Sequence, residues 1–213
     1  MRARWIITLA VTLWLAAFGR DRFDQWVDAT VLPPLVVETS IEVLDRNGDL
    51  LRAYTVADGR WRLALPPDKV DPTYLKMLLA YEDKRFRDHN GVDLRSMSRA
   101  VLQAVWNGRV VSGGSTLTMQ VARLLEEGTT GEVGGKLRQM RVALALERRL
   151  TKDQILQLYL HLAPFGGNLE GVRAASISYF GKEPKRLTPA EAALLVAIPQ
   201  APESRRPDRA ADR

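Results

Sequence analysis

Among the residues able to do acid–base chemistry, Glu82 stands in the least ordinary place. It follows Leu75 by seven residues and Leu78 by four. A helix through this stretch therefore puts its carboxylate on the apolar face, beside Leu79, and not among the solvated charges. A carboxylate in that position is partly desolvated, which suits a proton-transfer role. The ordinary alternative is an ion pair with Lys84, Arg85 or Arg87. A glutamine at 82 would keep the shape and remove the base, and by this pattern it would suit a buried face better than the acid.

A second place is Ser112-Gly113-Gly114-Ser115-Thr116. Two glycines before a helix start expose several N–H groups beside a hydroxyl pair, a geometry that suits phosphate or another anion. It is equally an ordinary loop and cap, with Ser115 as the capping residue. No P-loop lysine follows, so a nucleotide fold is not indicated. The basic run Lys136, Arg138, Arg141, Arg148, Arg149 and Lys152 is by default a solvated helix face. Lys136 and Arg138, near the start of their helix, are the better candidates for phosphate contact. His89 and His161 lack metal-ligand spacing, and with no cysteine in the chain thiolate chemistry and Cys-based metal sites are excluded.

These residues need a frame, and punctuation supplies one. Asp71-Pro72 opens a helix. Asp93 opens another, carrying Leu94, Met97, Val101 and Val105 on one face, and Asn107-Gly108 closes it. A helix through Leu125 has Gly128 beyond it, and a longer one runs roughly from Lys136 to Leu150. Thr151-Lys152-Asp153-Gln154 and Thr188-Pro189-Ala190-Glu191 are capping boxes, the second helix stopping at Pro199. Before them, Asn47-Gly48 between short apolar runs predicts a hairpin, and Trp61, Leu63 and Leu65 alternate as a strand does. The expected fold is mainly α with a small β element.

At 213 residues and 46% hydrophobic, the chain has the mass for one globular core plus extras. A net charge of +6 implies anionic partners without choosing among them. The apolar run from Trp5 to Gly19 follows Arg2 and Arg4 and precedes Arg20, Asp21, Arg22 and Asp24. As a helix it spans about 22 Å, short against a hydrocarbon core of about 30 Å. Trp5 and the flanking arginines extend its reach into the interfaces. The expectation is an uncleaved N-terminal transmembrane helix with the bulk of the chain outside the cytoplasm. The divisions are 1–20 as cytoplasmic tip and anchor, 21–38 as linker and 39–67 as β segment. The catalytic domain then covers 68–204, and 205–213 is a polar, disordered tail.

Together the segments resemble glycosyltransferase family 51, the peptidoglycan glycosyltransferase domain of class A penicillin-binding proteins. The resemblance covers about Val36 to Pro202. One motif is Glu82, Asp83, Phe86, His89 and Gly91. The next is Gly113, Ser115, Thr116 and Gln120, and a third is Lys152, Ile155, Leu156, Tyr159 and Leu160. A further stretch runs from Gly171 and Ala174 to Lys182, Leu187 and Glu191. Departures also stand out. The place of a second family glutamate holds Gln139, with Gly135 where an arginine is usual. Met119, Arg123 and His161 replace a glutamine, a lysine and an asparagine.

The resemblance implies a lysozyme-like helical lobe that polymerises lipid II into glycan strands, with release of undecaprenyl diphosphate. It implies Glu82 as the catalytic base and Gln139 as a weak second-site candidate. Substrate contacts fall to Asp83, Phe86, His89, Gly114, Ser115, Thr116, Gln120, Arg123, Lys136 and Arg138. By the resemblance alone, a divalent cation such as Mg2+ takes part. The implied partners are lipid II, the growing strand, the cytoplasmic membrane and other cell-wall synthesis proteins, with nucleic acid not among them. The implied location is the inner membrane, crossed once, with the catalytic domain on the periplasmic side. The family's bifunctional members continue into a transpeptidase domain, so this sequence reads as truncated before it, its last glycosyltransferase helices incomplete. A lysozyme-like lytic enzyme and a non-catalytic membrane scaffold are the rival readings.

Overall fold

The computed structural model describes residues 2–109, 113–126 and 133–209, so Ser112 and Gly128 lie outside the described residues. The chain is mainly helical. α1 (Arg2–Asp28) leads to a hairpin of β1 (Glu42–Leu44) and β2 (Leu50–Ala53), then β3 (Trp61–Arg62). Next come α2 (Pro72–Glu82), α3 (Leu94–Asn107), α4 (Leu117–Leu125), α5 (Val133–Arg149) and α6 (Lys152–Leu162). β4 (Leu169–Glu170), α7 (Val172–Phe180) and α8 (Pro189–Ala197) complete the series, with a 3-10 turn at Ile198–Gln200.

Local signals set most boundaries. The Asp71 carboxylate accepts from Thr73 N to open α2, and Asp93 accepts from Arg95 N and Ser96 N to open α3. Both capping boxes form, at Thr151–Gln154 and Thr188–Glu191. β1 and β2 pair antiparallel across the Asn47-Gly48 turn. β3 pairs in parallel with β4, more than a hundred residues away in sequence. That pairing ties the small β element to the helical lobe, assisted by the buried Arg62, which donates to the Glu170 carboxylate from Nε at 2.9 Å. One core holds α2, α4, α5, α6, α7 and α8 together, filled by Tyr74, Leu78, Phe86, Leu117, Leu146, Ile155, Tyr159 and Leu195.

Two expectations change, on α1 and on the C-terminal tail. The apolar face of α3, for its part, lies outside the core: Leu94, Val101 and Val105 are exposed, and of that face only Met97 is half-buried. α1 is a continuous helix that contains the Trp5–Gly19 run, with its large apolar side chains exposed. Among the described residues, however, no helix is long and apolar enough to cross a membrane. Arg4 and the charges from Arg20 to Asp24 bound the apolar stretch too closely. Residues 205–209 are not a loose tail either. Arg205 donates to Ala197 O at 2.7 Å, and the Glu203 carboxylate accepts from Gly167 N at 2.6 Å.

The C-terminal end of α1 is docked on α5. Arg141 Nε donates to Trp26 O at 3.0 Å and Thr30 Oγ1 at 2.9 Å, and its guanidinium lies 4.7 Å from the Trp26 ring centre. One turn-pair further along, Arg148 pairs with Asp28 at 2.7 Å and with Asp24. Both arginines engage the end of α1, but Arg148 stays exposed, as a solvated face expects, whereas Arg141 is half-buried.

Candidate active site

Glu82 is the last residue of α2, half-buried, at the edge of a cleft of about 580 Å³. Ser115, Thr116, Gly113, Asp93 and Arg99 line the same cleft. Each carboxylate oxygen of Glu82 accepts one amide N–H: Oε2 from Gln120 Nε2 at 2.7 Å and Oε1 from Gln200 Nε2 at 3.2 Å. Neither contact is with Lys84, Arg85 or Arg87. Arg85 instead binds the Asp93 carboxylate, and Arg87 pairs with Asp153. Glu82 thus keeps its charge facing neutral donors at a cleft wall, an arrangement that leaves it able to accept a proton.

The neighbouring motif residues work from behind. Asp83 is buried and turns inward, accepting from Leu117 N at 2.9 Å and holding His89 Nε2 at 2.9 Å. Phe86 is fully buried, packed edge-on against His89 and covered by the Lys152 ammonium 4.6 Å from its ring centre. Lys152 in turn pairs with Glu147 and donates to His89 O, both at 2.6 Å, while Thr118 Oγ1 donates to the same Glu147 oxygen at 2.6 Å. Phe86 and His89 therefore lie behind the cleft wall, while the buried Asp83 still lines it. All three hold the end of α2 against α4, α5 and α6, and so hold Glu82.

At the start of α4 the protein itself takes two of the N–H groups, those of Leu117 and Met119, while Gly113, Ser115 and Thr116 line the cleft. The cap is Thr116, not Ser115: its Oγ1 accepts from Met119 N at 3.1 Å and donates to Gly91 O. The Asp83 carboxylate takes the first helical N–H, so the negative charge favoured at a helix N-terminus is supplied internally. Gly114 serves contact with α3: a Cβ there would lie 3.1 Å from Met97 Cα. Ser115 remains, and it accepts from the Lys136 ammonium.

Lys136 is the strongest cation candidate. Burial lowers its pKa, and the nearby Arg123 guanidinium lowers it further. Its visible acceptors are neutral, Ser115 Oγ and Gln139 Oε1, the latter at 3.4 Å. A partly desolvated ammonium beside a second cation is relieved by a bound anion. Ser115 lines the Glu82 cleft, whereas the buried Gln139 lines a second groove of about 580 Å³ with Arg123, Arg138 and Leu32. Lys136 therefore bonds to one lining residue of each depression. Arg138 is further out, exposed and paired with Glu126 at 2.9 Å, so it is a weaker phosphate contact than the sequence suggested.

Among the described residues, no group of three or more His, Cys, Asp or Glu is placed to hold a metal ion. Asp83 is committed to His89 and Leu117, and the second acid position carries an amide. The residues present do not build a resident site for a divalent cation.

Two functional neighbours escaped the sequence analysis. Gln200 reaches Glu82 from 118 positions away, which no local pattern signals. The Glu147–Lys152 pair spans a helix junction and was masked by the basic run around it.

The comparisons with known proteins agree with this arrangement. A family model described as Transglycosylase matches residues 47–213. Penicillin-binding protein 1C of Escherichia coli (strain K12) is 47% identical over 210 residues, 98% of this chain and 26% of that protein. Penicillin-binding protein 1F of Bacillus subtilis (strain 168) is 36% identical over 173 residues, 81% of this chain and 24% of that protein. Penicillin-binding protein 1A of Escherichia coli is 32% identical over 198 residues, 92% of this chain and 23% of that protein. The chain belongs to the transglycosylase family, glycosyltransferase family 51. It spans about a quarter of the length of these curated relatives.

Proposed function

We propose that this chain is a peptidoglycan glycosyltransferase that polymerises lipid II into glycan strands and releases undecaprenyl diphosphate. The observation that carries the proposal is that Glu82 and Ser115, the acceptor of the Lys136 ammonium, line one cleft. Glu82 is a carboxylate held by neutral amides at a cleft wall, and Lys136 a desolvated ammonium reached through Ser115 of the same cleft. Glu82 takes the proton from the acceptor sugar's 4-hydroxyl as that oxygen attacks the anomeric carbon of the growing strand. The bond from that carbon to the diphosphate breaks, and the electron pair leaves with the diphosphate. Attack opposite the leaving group inverts the centre. Lys136 and Arg123 offset the charge on the departing phosphates, while Ser115 and Gln120 orient the groups that meet them. Gln139 supplies Lys136 with a neutral acceptor, which leaves the ammonium's charge for the substrate.

The proposal extends to location. The exposed apolar residues of α1, from Trp5 to Phe18, and Val105 and Trp106 on α3 support contact with a lipid surface, where a lipid-linked substrate resides. A lobe that works on a lipid-linked cell-wall precursor belongs at the outer, periplasmic face of the inner membrane. Other cell-wall synthesis proteins are the natural partners of such a lobe.

The deciding experiment incubates the full chain with lipid-linked disaccharide and separates the glycan products by length. Strands that lengthen with time and vanish in Glu82→Gln are expected. Soluble fragments released from purified glycan, with no polymer formed, would establish a lytic enzyme instead. Substrate binding without turnover would establish a scaffold.

A further inference from the structure

We propose that Gln200 is a positioning residue for Glu82, holding the outer oxygen of the carboxylate in the orientation that accepts a proton. The inference rests on the catalytic role proposed for Glu82 and deepens it.

The orientation of the Gln200 amide is fixed by what surrounds it. Arg205 Nη1 lies 3.3 Å from Gln200 Oε1, and a guanidinium can only donate. Tyr81 Oη donates to the same oxygen at 3.1 Å. The amide nitrogen must then face Glu82, whose ionised carboxylate can only accept. Gln120 does the same for the inner oxygen. With one donor on each oxygen, rotation of the carboxylate about its last bond is opposed from both sides.

The segment that carries Gln200 is itself held. Ile198 is fully buried, and Arg205 ties back to Ala197 O at 2.7 Å. Arg206 lies over Gly166 and Gly167, so close that a Cβ on Gly166 would sit 2.5 Å from its Cγ and Cδ. Both glycines also have positive φ, at 96° and 58°. The glycine pair thus lets the strap after α8 settle on the loop before β4, and the strap delivers Gln200 to the cleft.

The test compares wild type with Gln200→Leu in the full chain, by two measurements. In polymerisation across a pH range, kcat should fall about tenfold with KM for the lipid-linked disaccharide unchanged. The acid limb of the rate profile should move up by roughly half a pH unit, because an N–H donor to a carboxylate favours its charged form. In carbon-13 NMR of labelled glutamate, the Glu82 carboxyl titration should move in the same direction, whether or not the chain polymerises. Arg205→Ala, which frees the amide to turn, should shift both readouts the same way by less. Gln200→Leu loses only the exposed Glu82–Gln200 hydrogen bond, so its melting temperature should fall by no more than roughly 2–4 °C and the chain should stay folded. Superimposable profiles and titrations in Gln200→Leu would overturn the proposal. So would a change confined to KM, which would make Gln200 a substrate contact. A wild-type chain that fails to polymerise, with the NMR shift still present, would sink the glycosyltransferase reading and leave the positioning role standing.

Discussion

Replacing Glu82 by glutamine tests the chemistry and the geometry together. Both carboxylate oxygens accept an amide N–H, from Gln120 at 2.7 Å and Gln200 at 3.2 Å. Glutamine offers one oxygen and one NH2 group, so whichever way it turns, one N–H meets another. The shorter contact favours keeping the oxygen toward Gln120, which sets the new NH2 against Gln200. The loss of one hydrogen bond at a half-buried site costs about 1 kcal/mol. For a chain of this size that lowers the melting temperature by roughly 2–4 °C. The apolar pattern of α2 alone had favoured the amide, but the observed partners reverse that sign. Catalysis should suffer far more: removal of a general base costs at least ~10²-fold, equivalent to about 2.7 kcal/mol of transition-state stabilisation. Asp83 cannot substitute, because its oxygens serve His89 and Leu117. The assay is polymerisation of lipid-linked disaccharide, with a thermal melt on the same sample. Polymerisation by Glu82→Gln near the wild-type rate would refute Glu82 as the base. A raised melting temperature would refute the two-donor account of its surroundings.

Lys136→Ala should weaken binding of inorganic diphosphate roughly ten- to hundredfold by calorimetry, whereas Arg138→Ala, exposed and already paired with Glu126, should change it by less than about twofold. Gly91→Ala should destabilise the fold by at least about 2 kcal/mol in denaturant titration, because φ is 89° and the added Cβ would lie 2.7 Å from Ala143 O of α5. His161 accepts from Leu65 N at 2.9 Å, and burial lowers its pKa from the ordinary 6.5. Its neutral form therefore contributes fully above about pH 6.5, and that contribution is lost as pH falls toward the folded value. His161→Asn should flatten the fall in stability below that pH, followed by chemical denaturation at several pH values.

The sequence by itself determined the helices and singled out Glu82. Asp71, Asp93, Thr151 and Thr188 cap their helices because a side-chain oxygen reaches an N–H two or three residues on, a purely local matter. The spacing from Leu78 to Glu82 is likewise local, and it put the carboxylate at the edge of the buried face. The tertiary structure decided what each charge meets. Asp83, from the loop after α2, takes the first N–H of α4 thirty-four residues on, so an anion at this loop would meet Ser115 and Lys136 and not that helix N–H. Lys136 and Arg138 look equivalent in sequence, yet one faces Ser115 and the other Glu126. The apolar stripe of α3 is legible in the sequence, but among the described residues Val101 and Val105 stay exposed, and periodicity cannot say what covers a face. Gln200 reaches Glu82 only because the strap after α8 folds back over Gly166 and Gly167. Helix starts are set by neighbours a few bonds away. The electrostatics of the cleft are set by groups brought together across the whole chain, which spacing along the sequence does not encode.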